Sequence, residues 1–220
     1  MDIDLSDIVT TPYGKFVVGP RDGVCKAVAE NGFWDEWMKI HLDGLTKEQV
    51  CLDIGAHIGF HTVYMAHRCK WVHAFEPQLI SYKRLLKNCE LNNIINVTAY
   101  NVALYNKECK MMVEGKWKQS DINYNDRQAC SLSLSENESG DIQAKTLDSY
   151  GFEKVSFVKV DSEGCDLKVL MGGIEIIKRN RPSIIFESNG KNERDRKEFF
   201  DLLDYGSKEL AAANFLATPK

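Results

Sequence analysis

The stretch that decides the fold is Val50-Cys51-Leu52-Asp53-Ile54-Gly55-Ala56-His57-Ile58-Gly59-Phe60-His61-Thr62. Its first five residues form a short, mostly apolar run, which is typical of a parallel strand buried on both faces. Gly55 and Gly59 carry no Cβ, so backbone or a ligand can approach them closely. Apolar residues after Gly59 recur at helical spacing. The stretch therefore predicts a strand, a tight turn and a helix N-terminus, which together form a nucleotide-binding corner.

The spacing of the glycines narrows the choice of nucleotide. A dinucleotide-binding turn has glycines at its first, third and sixth positions, where this chain has Gly55, His57 and Phe60. A P-loop needs Gly-Lys followed by Ser or Thr, and no Lys follows Gly59. Asp53 would repel a pyrophosphate, whereas it would suit a ligand that carries an amine and a sulfonium. The pattern favours S-adenosylmethionine, although an ordinary strand–helix turn can have the same spacing.

A second acidic residue supports the same ligand. The next apolar run, residues 71–75, ends at Glu76-Pro77, and an acid at the tip of the second strand is placed to accept both ribose hydroxyls. The carboxyl end of the third predicted strand, near Asn101 and Val102, would lie beside the adenine. The predicted cofactor-binding residues are Asp53, Gly55, Ala56, His57, Gly59, Glu76, Pro77, Asn101 and Val102.

Composition bounds the class of protein. The chain has 220 residues, 44% of them hydrophobic, so we expect one core and a single domain over residues 1–220. A net charge of -4 provides no electrostatic footprint for nucleic acid. The 7 cysteines are scattered without a C-x-x-C pair, which is typical of thiols in a reducing compartment. No segment has the length of a membrane span and the N-terminus is acidic, so we expect a cytoplasmic protein.

The remaining sequence alternates between strand and helix patterns. Residues 1–45 predict an N-terminal β-hairpin, with strands at 8–11 and 15–18, followed by an aromatic-rich helix over 26–42. Residues 46–220 predict further strands at 71–76, 94–104, 156–160, 182–186 and 214–218, and helices at 79–91, 166–178 and 193–204. This order predicts an α/β protein with a doubly wound, mostly parallel sheet, whose ligands bind at the carboxyl ends of the strands.

Residues 105–145 interrupt this alternation. A strand is predicted at 109–113, and residues 116–140 are mostly polar with embedded Trp, Tyr and Arg. A long polar stretch inside a domain is either a functional loop or disordered. We predict a variable insertion on the acceptor side of the site, while a surface insertion with incidental aromatic residues is the alternative.

Charged residues collect at the ends of the predicted strands, namely Asp53, Glu76, Asp161 and Glu187. Lys159 lies two residues before Asp161, so both side chains point to the same face of their strand. Charges at the end of a buried strand are costly unless they are paired or used. The sequence therefore predicts a functional site at this edge of the sheet.

These segments resemble the FkbM family of S-adenosylmethionine-dependent methyltransferases. The matching motifs are Asp53-Ile54-Gly55-Ala56-His57-Ile58-Gly59, Phe75-Glu76-Pro77, Thr146-Leu147-Asp148, Lys159-Val160-Asp161-Ser162-Glu163-Gly164 and Arg181-Pro182-Ser183-Ile184-Ile185-Phe186-Glu187. They occur in the family's order, and His57 stands where Asn is common. The resemblance implies a seven-stranded, Rossmann-like class I methyltransferase fold. It also implies O-methylation of a hydroxyl, often on a sugar or glycan such as a deoxysugar like rhamnose. Fusion to glycosyltransferase domains in a longer chain is compatible with it.

The catalytic roles follow from the chemistry of methyl transfer. A sulfonium methyl group is already activated, so the enzyme holds the acceptor oxygen in line with it and removes a proton. Asp161 is the first candidate for the base and Glu187 the second, while Lys159 orients the acid or the acceptor. A divalent metal on Asp161, Glu163 and Glu187 is a less favoured arrangement, because Mg²⁺ prefers such oxygen ligands.

Other functions stay open at this stage. Methylation of a phenolic or natural-product hydroxyl, or of an amine, would use the same donor. An NAD-dependent sugar-modifying enzyme also has an acid at its second strand, but the glycine spacing argues against it. The intact Asp53, Glu76 and Asp161 argue against a non-catalytic binding module on the same fold.

Overall fold

The structure is a computed structural model that describes residues 8–18, 23–113, 133–188 and 193–220. The strands are β1 Ile8–Thr11, β2 Gly14–Val17, β3 Val50–Ile54, β4 Trp71–Phe75, β5 Val97–Tyr100, β6 Ala103–Leu104, β7 Cys109–Val113, β8 Leu134–Glu136, β9 Ile142–Lys145, β10 Val155–Val160, β11 Ser183–Glu187, β12 Tyr205–Ala211 and β13 Asn214–Pro219. The α-helices are α1 Gly23–Asn31, α2 Lys39–Asp43, α3 Phe60–Ala66, α4 Leu79–Leu91, α5 Asp166–Met171, α6 Ile174–Asn180 and α7 Glu193–Leu202. Short 3-10 helices cover Glu36–Met38 and Leu147–Tyr150. Within these ranges, no helix combines the length and apolar character that crossing a membrane requires.

A seven-stranded mixed sheet forms the centre of the molecule, with strand order β12-β13-β11-β10-β3-β4-β5. Strands β11, β10, β3, β4 and β5 run parallel to one another, as the alternation of strands and helices predicted. The sheet is not purely parallel, because β13 pairs antiparallel with both β11 and β12. The five parallel strands place their carboxyl ends at one edge, where the acidic residues collect.

Packing on both faces of β3 explains its apolar sequence. Cys51 belongs to the hydrophobic cluster on one face, with Phe60 and Val63 of α3. Leu52 and Ile54 belong to the cluster on the other face, which contains residues of α5, α6 and α7. Because successive strand residues point to opposite faces, a strand covered on both sides reads as a continuous apolar run.

The third core strand ends earlier than the sequence suggested. Residues 94–104 predicted one strand that ends near residues 101–103, but β5 ends at Tyr100 and β6 belongs to a second sheet. The Asn101 side chain explains the separation, since its amide donates hydrogen bonds to the carbonyls of Glu76 at 2.9 Å and Pro77 at 3.0 Å. These bonds fasten the chain to the end of β4, and the next residues leave the main sheet.

Three other predictions were wrong. In two of them a glycine ends a helix earlier than predicted, and in the third a strand was not predicted. The helix predicted over 26–42 is divided into α1, a 3-10 turn and α2, and Gly32 follows α1 with a φ of +77°. The helix predicted over 166–178 breaks at Gly172 and Gly173, which pack against Tyr105 and Leu147. One strand was predicted after the last helix, but β12 precedes β13 and the two form a hairpin.

The predicted insertion, residues 105–145, contributes to a second sheet. This four-stranded sheet has the order β6-β9-β7-β8 and its own cluster, which includes Met111, Val113 and Ile142. The strand predicted at 109–113 is β7. Most of the polar stretch that motivated the acceptor-side prediction, residues 114–132, lies outside the described residues.

The predicted N-terminal hairpin is present as β1 and β2, and it docks on α4 through two asparagines. Asn88 accepts a hydrogen bond from the Val17 amide at 2.7 Å. Asn92 accepts one from the Lys15 amide at 2.8 Å and donates one to the Lys15 carbonyl at 2.7 Å. These bonds satisfy backbone groups of β2, and they fix the segment that continues into α1.

Candidate active site

A cavity of about 370 Å³ lies at the carboxyl ends of β3, β4 and β10. The predicted site residues that line it are Gly55, Ala56, His57, Glu76, Pro77, Val102, Lys159, Asp161 and Glu187. Three other predicted residues, Asp53, Gly59 and Asn101, are not among its lining residues. Most of the predicted site residues therefore lie together at the carboxyl ends of the parallel strands, where ligands bind in sheets of this kind.

The turn after β3 is packed too tightly for any residue but glycine at position 55. Gly55 has a φ of +74°, and a Cβ there would lie 1.8 Å from the Asp161 carbonyl oxygen. The amides of Gly55 and Ala56 both donate to the Phe75 carbonyl at 3.0 Å. The turn is thus held between the ends of β10 and β4, with its backbone at the cavity wall.

Glu76 is held at the tip of β4 by backbone amides. Its side chain is buried, and its two carboxylate oxygens accept hydrogen bonds from the amides of His57 at 2.7 Å and Gln78 at 2.8 Å. Burial raises the pKa of Glu76, while the nearby His57 and these two amides oppose the shift. A carboxylate has about four acceptor positions, so Glu76 retains acceptor capacity for a ligand in the cavity that it lines.

Lys159 links two of the predicted carboxylates. Its Nζ lies 3.2 Å from Asp53 Oδ1 and 3.5 Å from Asp161 Oδ2, and it donates to the Gly55 carbonyl at 3.2 Å. Burial lowers the pKa of Lys159, but Asp53 and Asp161 outweigh it and the net pKa is raised. Lys159 is therefore a buried cation that is compensated on both sides.

Asp53 lies behind this lysine and not at the cavity surface. Its side chain is fully buried, and its Oδ2 accepts a hydrogen bond from the Thr62 hydroxyl at 2.6 Å. The sequence argument placed Asp53 against the ligand, whereas in the structure it does not line the cavity and is paired with Lys159. The acidic residues that line the cavity are Asp35, Glu76, Asp161, Glu163 and Glu187.

Carboxylates face one another on the β10 side of the cavity. Partial burial, followed by the charges of Asp161 and Glu187, raises the pKa of Glu163 to about 7. Burial also raises the pKa of Glu187, with contributions from Asp166 and Asp161. A carboxyl group with a pKa near 7 can accept or release a proton at neutral pH. Across the described ranges, no group of three or more His, Cys, Asp or Glu residues is arranged to hold a metal ion.

Two acidic residues that line this cavity, Asp35 and Glu163, were not among the predicted catalytic or cofactor-binding residues. Asp35 lies in a stretch that was predicted as continuous helix, and nothing in its local pattern marks it as a site residue. Glu163 was placed in the motif at residues 159–164 and considered as a metal ligand, but it was not among the catalytic candidates. It follows β10 by three residues and has a φ of +52°. A non-glycine residue with positive φ is uncommon, but this signal exists only in the structure.

Comparisons with known proteins agree with this geometry. Residues 53–211 match the family model of the methyltransferase FkbM domain. The structure is similar to that of methyltransferase FkbM from Methylobacillus flagellatus KT, with a TM-score of 0.56 and 15% identity over 79% of this chain and 44% of that one. It is also similar to SMU.1697c, a putative methyltransferase from Streptococcus mutans in complex with SAH, with a TM-score of 0.51 and 14% identity over 84% and 97% of the two chains. A search of curated proteins finds no match.

These comparisons carry different weight. At such identities the similar structures show the fold alone, and this chain spans less than half the length of the Methylobacillus protein. The family model covers most of the chain, and its range includes the Gly55 turn, Glu76 and the segment from Lys159 to Glu163. The resemblance noted from the motifs is therefore confirmed, and the chain belongs to the FkbM methyltransferase family.

Proposed function

We propose that this chain is an S-adenosylmethionine-dependent methyltransferase that methylates a hydroxyl group of a sugar or glycan. The observation that carries the proposal is the setting of Glu76, whose carboxylate is held by two backbone amides beside the Gly55 turn. A fixed acceptor at this position suits the two hydroxyls of a ribose. Membership of the FkbM family supports the choice of donor.

The charge of the cavity supports S-adenosylmethionine over a diphosphate cofactor. Its acidic lining residues outnumber Lys159, which is already paired with Asp53 and Asp161. Among the described lining residues, a diphosphate would meet these carboxylates without an unpaired lysine or arginine, whereas a sulfonium and an ammonium are attracted by them. When bound, the donor supplies a methyl group that the sulfonium has already activated.

Adenine binding fits the other side of Glu76. Pro77, Gln78 and Val102 line the cavity at the ends of β4 and β5. Asn101 does not line the cavity, and its amide instead fastens this loop to the carbonyls of Glu76 and Pro77. We propose that Val102 and Pro77 cover the base, while Asn101 fixes the backbone that surrounds it.

The proposed acceptor site lies where the second sheet meets the β10 side. Met111 of β7 and Leu134 of β8 contribute apolar surface, while Asp161, Glu163 and Glu187 contribute acceptors. A sugar ring presents hydroxyls at its rim and C–H groups on its faces, so it matches a wall of this mixed character. We propose Asp161 as the proton acceptor, oriented by Lys159 at 3.5 Å, with Glu187 as the second candidate.

Transfer of a labelled methyl group tests the proposal. We expect S-adenosylmethionine to label at least one member of a panel of monosaccharides and glycans, and phenols and amines to be labelled less. Calorimetry should show binding of S-adenosylhomocysteine (SAH) and none of NAD. Labelling confined to phenols or amines would retain the donor and overturn the acceptor class. Binding of NAD without SAH would overturn the whole proposal.

A further inference from the structure

Asp35 is the carboxylate of the cavity that lies outside the matched family range, residues 53–211. It follows Trp34, which also lines the cavity, and precedes the 3-10 helix Glu36–Met38. Its backbone is left-handed, with φ 56° and ψ 61°. Non-glycine residues seldom adopt this conformation, and three of the nine described residues that do, Asp35, His57 and Glu163, line the cavity.

The position of Asp35 is built by tertiary contacts of the N-terminal segment. Asn88 of α4 and Asn92, which follows α4, hold β2, and Lys39 of α2 donates to the Tyr13 hydroxyl at 2.7 Å. The carbonyl of Trp34 lies 3.0 Å from Nε2 of the buried His61 on α3. Residues before and after Asp35 are therefore both held by tertiary contacts, which fix its position at the cavity.

The order of the strands indicates which part of the donor Asp35 would meet. Glu76 follows β4, and the pocket assigned to adenine lies toward β5. Because the ribose is fixed between these two groups, its 5′ substituent extends the opposite way, over β3 toward β10. The charged groups that act on the pKa of Asp35 belong to that end of the cavity, namely His61, Asp161 and Lys159.

The Asp35 carboxylate has capacity for a cation. Asp161 is paired with Lys159, whereas Asp35 forms no ion pair with any residue in the described part of the chain. Burial raises its pKa, His61 lowers it and Asp161 raises it. The nearby Trp37 side chain lowers the pKa of this carboxyl, which keeps acceptor positions open for a ligand. A bound cation would offset the cost of burying this charge.

We infer that Asp35 binds the α-ammonium group at the amino-acid end of S-adenosylmethionine. The inference rests on the proposed function, since it assumes the adenosyl donor. It assigns a donor-binding residue to the N-terminal segment, so the complete donor site needs this segment as well as the sheet. Asp161 then remains available for the acceptor hydroxyl.

The assignment is tested by a double-mutant cycle in which the Asp35 carboxylate and the ligand ammonium are removed singly and together. Calorimetry compares wild type with Asp35→Asn, using SAH and its deaminated analogue, which keeps the carboxylate and lacks the ammonium. In wild type, SAH should bind about 10 to 100-fold more tightly than the analogue, as expected for a charge-assisted hydrogen bond. In Asp35→Asn this preference should fall to within about twofold, because the two deletions remove the same interaction. Asparagine tolerates the left-handed conformation, so the variant is expected to fold.

Two controls separate recognition of the ammonium from a general effect. 5′-Methylthioadenosine has no amino-acid part, so Asp35→Asn should leave its affinity unchanged. Glu36→Gln removes the next carboxylate along the chain, which is exposed and outside the cavity, so it should leave SAH affinity unchanged. Equal losses for SAH and 5′-methylthioadenosine in Asp35→Asn would overturn the assignment. So would a wild-type protein that binds SAH and its deaminated analogue equally. A wild type that binds no adenosyl ligand would overturn the proposed donor as well.

Discussion

Glu76 and Glu163 line the same cavity in opposite settings. Glu76 is buried and its oxygens are held by two backbone amides, so its position is fixed. Glu163 has a more exposed side chain, and its partial burial, followed by the charges of nearby carboxylates, raises its pKa to about 7. A fixed acceptor suits ligand binding, whereas carboxyl groups that titrate near neutral pH suit proton transfer. This difference supports the proposed division, with the donor on the β4 side of the cavity and proton transfer on the β10 side.

Gly55 lies between the β4 and β10 sides of the cavity, and its replacement should have the largest effect of the substitutions considered. In Gly55→Ala the new Cβ would lie 1.8 Å from the Asp161 carbonyl oxygen, at a φ of +74°. Backbone must shift, so we expect a loss of about 3 kcal/mol or more in the free energy of unfolding. Urea denaturation followed by circular dichroism measures it.

Gly164 provides the matched control for this substitution. It also has a positive φ, +88°, but a Cβ there meets nothing within 4 Å. Gly164→Ala should therefore cost only the backbone term, about 1 kcal/mol. If the two variants lose equal stability, the steric clash with the Asp161 carbonyl oxygen does not account for the effect of Gly55→Ala.

On the β10 side, Asp161→Asn should reduce turnover and spare donor binding. Loss of the proposed proton acceptor should lower kcat about 100-fold or more, while the Kd for SAH stays within a few-fold of wild type. Labelled-methyl transfer and calorimetry give the two numbers. Asp201→Asn, at a surface ion pair with Lys220, should change neither. A variant that loses SAH affinity but keeps its turnover would reverse the roles of the two sides.

On the β4 side, Glu76→Ala should do the opposite. Removing the carboxylate takes away the proposed ribose acceptor and leaves the amides of His57 and Gln78 without their partner. We expect SAH to bind about 10 to 100-fold more weakly, with a smaller change in kcat at saturating donor. Glu90→Ala removes an exposed carboxylate from α4 and should leave both quantities unchanged. Unaltered SAH affinity in Glu76→Ala would remove the main support for the donor site.

The sequence predicted the β4 side better than the other regions. A continuous apolar run that ends in Gly55 or Glu76 signals a buried strand and its carboxyl end, and these signals are local. Asp35 has no such signal, because its neighbour Trp34 is held by a tertiary contact, the one between its carbonyl and Nε2 of His61 at 3.0 Å. Similarly, β12 was missed because its middle residues are exposed and polar, so its apolar pattern is weak.

Replacing Glu163 should have the smallest effect, and its sign depends on pH. Burial and neighbouring carboxylates raise the pKa of Glu163 from 4.5 to about 7 in the folded chain. The folded chain therefore favours the protonated form of Glu163. The resulting contribution to stability is fully present below pH 4.5 and is lost as the pH rises through 7. Glu163→Gln cannot ionise, so it should unfold at the same temperature as wild type at low pH and at a higher one above pH 7. Because water screens this exposed side chain, we expect a gain of only about 2 °C in Tm. Glu175→Gln, an exposed glutamate on α6, should show no such gain with pH. The shifted group titrates between about pH 5 and 8. If the Tm difference does not grow over this range, the pKa of Glu163 is not raised by folding. The β10 side would then lack the titrating carboxyl group that distinguishes it from the β4 side.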